Sequence, residues 1–365
     1  MIKEGKIGIR EAVWLTIAAI SSKVFFSSPA VLAGMVGTTG WYATLISASV
    51  ALLGFAFIYH LLKRFPDKEI DEIFELSLGR VVGTVFTLVL ALTMLYIGTT
   101  RLSEFSEVMR VYVFPSSPDW YLKIIYMLCV FVLSWLGLET IARVSKLFAL
   151  VMLIGFFLVL LLAAQNYDIN NLFPIFGYGL DTTVINGVLR SSAYGEVIIL
   201  AIFAKSFQGI KFIKKEGVIS LALSAFFISV SILAFSLTFP YTSVQETTSP
   251  MYEMSTLIDY GRYLQRVEPI FLFIWIISSL ISSAIIFYSF VWLFCKAFRI
   301  QDRRPIIIGS SAILFLLSYM HKGITTVMYG FVQPLRSYGS LVFFVMPLIA
   351  LITAAIRKKR SDTNA

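Results

Sequence analysis

Ten long apolar runs, separated by short polar connections, govern what this 365-residue chain can become. They lie at about 11–34, 39–62, 82–113, 120–138, 145–164, 184–204, 217–239, 269–295, 305–320 and 333–356. A helix needs roughly 20 apolar residues to cross the hydrocarbon core of a bilayer, where its backbone polar groups must be satisfied internally. The pattern therefore predicts an all-α polytopic membrane protein of ten transmembrane helices, forming a single domain with tails at 1–10 and 357–365. Composition agrees: 58% of residues are hydrophobic and only 14% are charged, against about a quarter charged in soluble domains. An ordinary water-soluble enzyme is excluded. The ninth run is short, and the third is long enough to tilt or to project beyond the bilayer.

The net charge of +9 does not point to nucleic acid, because the basic residues fall in short clusters between apolar runs. Cytoplasmic flanks of membrane helices are enriched in Lys and Arg. With the N terminus placed inside, 21 of the 30 basic residues fall in inner flanks, and six (Lys123, Arg190, Arg262, Arg266, Lys322 and Arg336) in outer ones. The bias alternates loop by loop, which supports an even number of spans and places both termini in the cytoplasm. Met1–Arg10 is basic, but the run after it continues for a full span with no small-residue cleavage pattern, so the first segment is expected to be retained. Cys129 and Cys295 lie inside apolar runs, where neither a disulfide framework nor a metal site is readable. No nucleophile constellation, P-loop or HExxH pattern is present, so neither enzymatic function nor a cofactor is expected.

Two runs are interrupted. In the first, Ser21-Ser22-Lys23 and Ser27-Ser28-Pro29 break the apolar pattern, with Gly34 and Gly37 following. Proline removes a backbone donor and disfavours helix at the residue before it. In the sixth, Arg190-Ser191-Ser192-Ala193-Tyr194-Gly195-Glu196 makes a similar interruption, with a glycine and a carboxylate in apolar surroundings. The first and sixth spans correspond in a five-plus-five arrangement with repeats at about 11–164 and 184–356. Paired interrupted helices point to an inverted-repeat transporter fold with a midplane site built from half-helix ends. The alternative is a pair of ordinary kinks.

Lys23 lies near the middle of the first span and must face the interior. It is either a fixed cation at the site or a structural tie to Glu196 or exposed carbonyls. Glu196 is the stronger candidate, able to accept a ligand ammonium group or to titrate, with an ion pair to Lys23 or Arg101 as the other reading. In the third span, i to i+3 spacing lets Arg101 meet Glu104 and Glu107 meet Arg110, as structural pairs or as the lining of an outer vestibule. Ser278, Ser279, Ser282 and Ser283 of the eighth span form either a polar stripe or a small-residue packing seam. His60 and His321 are expected near the interfaces. Two long outer connections, about 165–183 and 240–268, carry short helices over a vestibule or are simple solvated loops.

Several segments together carry a resemblance. They are Leu62-Lys63-Arg64-Phe65-Pro66 with Ile73 and Leu78-Gly79, Arg101 to Phe105, Asp168-Ile169-Asn170-Asn171-Leu172 with Pro174 and Gly177 to Gly179, Gly195-Glu196, and Leu264-Gln265-Arg266-Val267-Glu268 with Trp275-Ile276-Ile277. In this order they resemble the spore germination protein family, the germinant receptor B subunit (GerAB-like) of the amino acid-polyamine-organocation (APC) transporter superfamily. The resemblance covers nearly the whole chain. It implies a LeuT-like fold with broken helices 1 and 6, residence in the spore inner membrane, an A subunit and a C lipoprotein subunit as partners, and recognition of a small germinant such as an amino acid. One departure is notable: relatives tend to carry a glycine-rich stretch before the first-span proline, where this chain has Ser21, Ser22 and Lys23.

On this reading a germinant binds between spans one, three, six and eight. Backbone groups around Phe25, Phe26, Ser27 and Ser28, and around Ser192 to Gly195, are expected to meet its polar ends. Glu196 would meet an amine, and Phe26, Tyr194 and Trp275 its apolar part, with Lys23, Ser278 and Ser279 beside them. The alternative is a proton-coupled amino acid transporter working by alternating access, with Glu196 or Lys23 titrating.

Overall fold

The structure, a computed structural model, describes residues 5–244, 247–261, 267–321 and 323–359. Lys3, Arg262, Arg266, Lys322 and Arg360 of the charge count, and residues 264–266 of the resemblance, lie outside these.

Among the described residues the chain is a helical bundle. The first crossing is α1 (Ile9–Ser21), a 3-10 turn (Ser22–Phe25) and α2 (Ser28–Val36). Then follow α3 (Gly40–Arg64), the short α4 (Ile70–Leu78), α5 (Arg80–Tyr112), α6 (Asp119–Leu136) and α7 (Leu138–Ala163). The sixth crossing is α8 (Leu180–Leu189), a 3-10 stretch (Arg190–Ile198) and α9 (Ile199–Ile202). Next come α10 (Ile210–Thr238), the short α11 (Tyr241–Val244) and α12 (Pro250–Thr256), α13 (Glu268–Ala297) and α14 (Arg304–Ser318). The last crossing alternates wide and regular turns: Thr326–Val332 as π-helix, α15 (Gln333–Ser340), a second π stretch (Leu341–Val345) and α16 (Met346–Ile356).

Eight stretches among the described residues are long and apolar enough to cross a membrane, with α14 a shorter apolar helix. One of the eight joins α2 to α3 as Ser28–Arg64. Assigning α2 to α1 instead, and counting α14, is consistent with the expected order of ten segments. The break between α2 and α3 falls at Gly37, whose φ of +68° suits glycine. At 33 residues, α5 is about 50 Å long at 1.5 Å per residue, so it extends past the hydrocarbon core as expected. Proline stands in the first turn of α2, α13 and α14, where its missing N–H has no intrahelical partner to lose.

The packing order puts α13 at the heart of the bundle against α5, α7, α1 and α6, while α10 lies on α3 and α1. At the end that carries the N terminus, α4 packs on α5 and binds neighbours through its carboxylates. Glu69 lies 2.7 Å from Lys296, and Glu72 pairs with Lys205.

Both long connections are tied down. The later one carries α11 and α12, with Met251 and Met254 buried and the Ser249 hydroxyl donating to the Phe25 carbonyl at 3.1 Å. The earlier one has two 3-10 turns, and its Asp168 and Tyr178 amides donate to Leu237 and Val36. Cys295 is buried and Cys129 exposed.

Candidate functional site

The first crossing breaks where Pro29 begins α2. Helical bonding ends at Phe26, which is extended, and Ser27 stands as N-cap. The backbone N–H of Ser27 is one of the donors a helix start leaves without an intrahelical partner. Here it donates to Oε1 of Glu104 on α5 at 2.9 Å, and the Ser27 hydroxyl donates to the same oxygen. A carboxylate at a helix N terminus is favoured by the aligned peptide dipoles.

The sixth crossing does not open into coil. Residues Arg190–Ile198 wind as a nine-residue 3-10 helix, far longer than the three or four residues usual for that form. Gly195 is required by proximity: a Cβ there would stand 2.0 Å from Cδ2 of Phe343 in the last crossing.

The two interruptions meet at Glu196, whose surface is 0% exposed. Lys23 Nζ lies 2.7 Å from its Oε2 and also donates to the carbonyl of Ala193. Arg101 Nη2 from α5 lies 3.1 Å from Oε1 and 3.0 Å from the carbonyl oxygen of Ala19. Arg101 Nη1 donates to the hydroxyls of Ser22, at 3.1 Å, and Ser282. Arg336 Nη1 from α15 stands 3.8 Å from Glu196 Oε1. Ser192 ties the same α15 to the sixth crossing, its hydroxyl donating to the Arg336 carbonyl at 2.7 Å. One carboxylate thus joins the first, third and last crossings to the sixth. Opposite charges and hydrogen bonds of this kind are what allow buried ions to persist away from water.

Beside this cluster a narrow cleft runs between α2, α3, the sixth crossing and α10, with Lys23, Ser28, Arg190, Ala193 and Tyr194 in its wall. Arg190 donates to Gln333 Oε1 at 3.1 Å and to the Ser28 hydroxyl at 3.4 Å. The Tyr194 hydroxyl donates to the carbonyl of Thr44 at 3.3 Å. A second cavity, apolar and about 510 Å³, lies between α1, α7, α10 and α13 and includes Phe25 and Ser278.

The chain as a whole resembles known proteins. A profile described as spore germination protein matches residues 6–327. The chain belongs to the spore germination protein family. It is 21% identical to spore germination protein KB of Bacillus subtilis over 100% of this chain and 98% of that protein. It is 21% identical to spore germination protein YndE of the same organism, over 88% of each. Among solved structures, MhsT in complex with L-phenylalanine covers 97% of this chain and 89% of its own at a TM-score of 0.67 and 12% identity. Mhp1, a nucleobase-cation-symport-1 transporter, covers 93% and 77% at a TM-score of 0.64 and 13% identity. At such identities the likeness concerns the fold alone, which is LeuT-like with its first and sixth helices broken.

Within this germination-family fold the sequence-predicted residues separate into groups. Lys23, Ser27, Ser28, Ser192, Tyr194, Gly195 and Glu196 come together around the break. Phe26 and Trp275 do not line the cleft; their rings pack edge to face at 5.5 Å, with Phe105 5.3 Å from Trp275. The serines of α13 face different partners: Ser282 serves Arg101, Ser279 and Ser283 bond Tyr126 of α6, and Ser278 borders the apolar cavity. Arg101 forms no ion pair with Glu104 despite their spacing, because tertiary partners claim both: Glu196 takes the guanidinium and Ser27 the carboxylate. Both belong to the central cluster, not to a vestibule. Glu107 and Arg110 do pair, at 2.6 Å.

Arg190 and Arg336, counted above with the outer flanks, are 3% and 4% exposed within the bundle. The available signal was position: Arg336 falls inside the tenth apolar run, where a charge is costly unless it faces protein or a cavity. Lys123, also counted outer, is 1% exposed and lies 2.7 Å from Asp119. His321 is buried as well, its Nδ1 2.8 Å from the Ser103 hydroxyl.

Proposed function

We propose that this chain is the nutrient-recognising subunit of a spore germinant receptor, binding an amino acid or other small germinant in the cleft beside Glu196. The observation that carries the reading is the burial of Glu196 where two interrupted crossings meet, held by Lys23, Arg101 and Arg336 from three other parts of the chain. A ligand that displaces one of these contacts alters how several crossings are held together. If it binds one arrangement better than another, it shifts their populations. Family membership and the full-length match to spore germination protein KB support the role.

In this reading the chain sits in the spore inner membrane with both termini cytoplasmic and works with an A subunit and a C lipoprotein. Its repeats run over about 11–164 and 184–356. Backbone groups near Phe25 to Ser28 and Ser192 to Gly195 frame the ligand, and Tyr194 meets its apolar part. Spores lacking the gene are expected to lose their response to one class of nutrient and to regain it with the wild-type gene but not with Glu196→Ala. A full response from Glu196→Ala at normal protein level would overturn the assignment.

The Lys23–Glu196 pair favours one second reading. It bridges both interruptions, so a change in its proton occupancy is suited to a transporter that moves its substrate with protons. Proteoliposomes separate the two: uptake that collapses with the proton gradient marks transport, and binding without uptake marks sensing.

A further inference from the structure

The central cluster is answered unevenly. The N terminus of α2 is the natural place for an anion, and Glu104 already fills it through Ser27. The Ala193 carbonyl and the Glu196 carboxylate are the natural place for an ammonium group, and Lys23 Nζ already fills that. The chain's own side chains therefore stand where the two charged ends of a zwitterion would be received.

What is left over is cationic. Arginine does not give up its proton in proteins, and Arg101, Arg190 and Arg336, all buried, outnumber the carboxylates of the central cluster, Glu104 and Glu196, even before Lys23 is counted. Both terminal nitrogens of Arg101 are engaged. Among the described residues Arg190 reaches the uncharged acceptors Gln333, Ser28 and Met35. Arg336 is 4% exposed, and among the described residues its Nε and Nη1 have no hydrogen-bond partner. Gln333, which accepts from Arg190, stands one turn from Arg336 on the same face of α15. The two under-used guanidinia thus belong to one neighbourhood, with Arg190 in the wall of the cleft. Buried cations with open donors are costly unless something with oxygen atoms and negative charge completes them.

Resting on the reading that this site recognises a ligand, we propose that the ligand is a small oxyanion, a carboxylate or phosphate without a paired ammonium group, received by Arg336 and Arg190. The guanidinium fork matches the oxygens of either anion, and the cluster offers an ammonium group no vacant carboxylate.

The test uses the full-length chain in lipid nanodiscs in a chloride-poor buffer, with binding read by calorimetry and by the shift of the thermal unfolding midpoint. The probes are lactate, malate, inorganic phosphate, L-alanine, L-valine and glucose. At least one anion is expected to raise the midpoint and to bind ten-fold or more tighter than alanine, valine or glucose. Binding of the carboxylates alone identifies an organic acid, and equal binding of phosphate identifies a general oxyanion site. Arg336→Gln is expected to weaken the anion at least ten-fold and Arg336→Lys less, with Arg190→Gln lying between wild type and Arg336→Gln. Tighter binding of alanine, valine or glucose than of every anion overturns the anion assignment while leaving ligand recognition intact. So does unchanged anion affinity in both glutamine variants. Binding of none of the probes overturns ligand recognition at this site along with it. Should the variants fail to fold, the ranking of probes on the wild-type chain decides alone.

Discussion

At the centre of the bundle Glu196 has no exposed surface and is met by Lys23 at 2.7 Å and Arg101 at 3.1 Å. On α10, Glu216 has no exposed surface either, yet among the described residues neither of its carboxylate oxygens has a hydrogen-bond partner, and the Ser220 and Ser224 hydroxyls share that condition. The difference lies in the backbone around them. Around Glu196 two crossings are interrupted, so a carbonyl at Ala193 and an N–H at Ser27 turn inward, and side chains from several elements converge on them. By contrast α10 is an unbroken helix of 29 residues. Its positions 216, 220 and 224 fall on one face, and adjacent Gly217 sits directly against the ring of Phe55 from α3. Polar groups along an intact helix that packs on an apolar one find carbon. Interruption of the backbone is what makes a polar centre affordable in this fold.

The largest effect should come from removing the hub. Glu196→Leu leaves Lys23, Arg101 and Arg336 facing one another without their shared anion, and losing one side of a buried ion pair costs about 3–5 kcal/mol. A steep fall in the thermal unfolding midpoint of the purified chain, with loss of germination in spores, is the expected outcome. A midpoint within a degree or two of wild type would break the comparison, since it would mean that Glu196 is no better answered than Glu216.

How much of this was legible before the structure differs from residue to residue. Pro29 and the serines around it announce the first break, and Lys23 with Glu196 announces a pair, because uncompensated charge inside an apolar run has few places to go. Arg190 and Arg336 were hidden by proximity to the span ends: a tally of flanking charge treats a buried guanidinium and a solvated one alike. The Arg101–Glu104 spacing suggested a local pair, but i to i+3 contacts are worth only about 0.2–0.5 kcal/mol, so tertiary partners with better geometry prevail. The form of the sixth break was not legible either. The reason for Gly195 is the ring of Phe343, which lies 148 residues later in the chain, and no local pattern encodes such a distant neighbour.

Asp71 at the start of α4, outside the crossings, offers an intermediate case. It is 9% exposed and among the described residues its Oδ1 has no hydrogen-bond partner, while Lys296, Glu69 and Glu72 act on it electrostatically. Burial pushes its carboxyl up to about 6, against the pull of Lys296. Between about pH 4 and 6 the folded chain therefore holds a proton that the unfolded chain has released, so stability falls as pH rises through that window and stays lower above it. Asp71→Asn should remove this dependence. The variant is expected to exceed wild type by about 3 kcal/mol at pH 7.5 and to match it near pH 4. Unfolding midpoints taken across that range check the sign, and a wild-type curve that instead rises from pH 4 to 6 would refute it.

Smaller still, and opposite in sign to the hub, is the expected effect at the unanswered stripe. Glu216→Leu replaces a carboxyl that has no partner with a side chain suited to the Phe55 surface, and such replacements of buried ionisable groups are often stabilising by about 1 kcal/mol or more. A raised unfolding midpoint is the outcome that sharpens the comparison. A lowered one would mean that Glu216 holds a partner of its own, and the contrast with Glu196 would dissolve. Arg110→Ala provides the baseline against which both are judged. Its pair with Glu107 has the same chemistry as the hub and a short distance of 2.6 Å, but the Arg110 side chain is 42% exposed. Solvent screens such a pair to between about 0 and 1 kcal/mol, so this substitution should move the midpoint least. If it cost as much as Glu196→Leu, the depth of the hub within the bundle would not be the source of its strength.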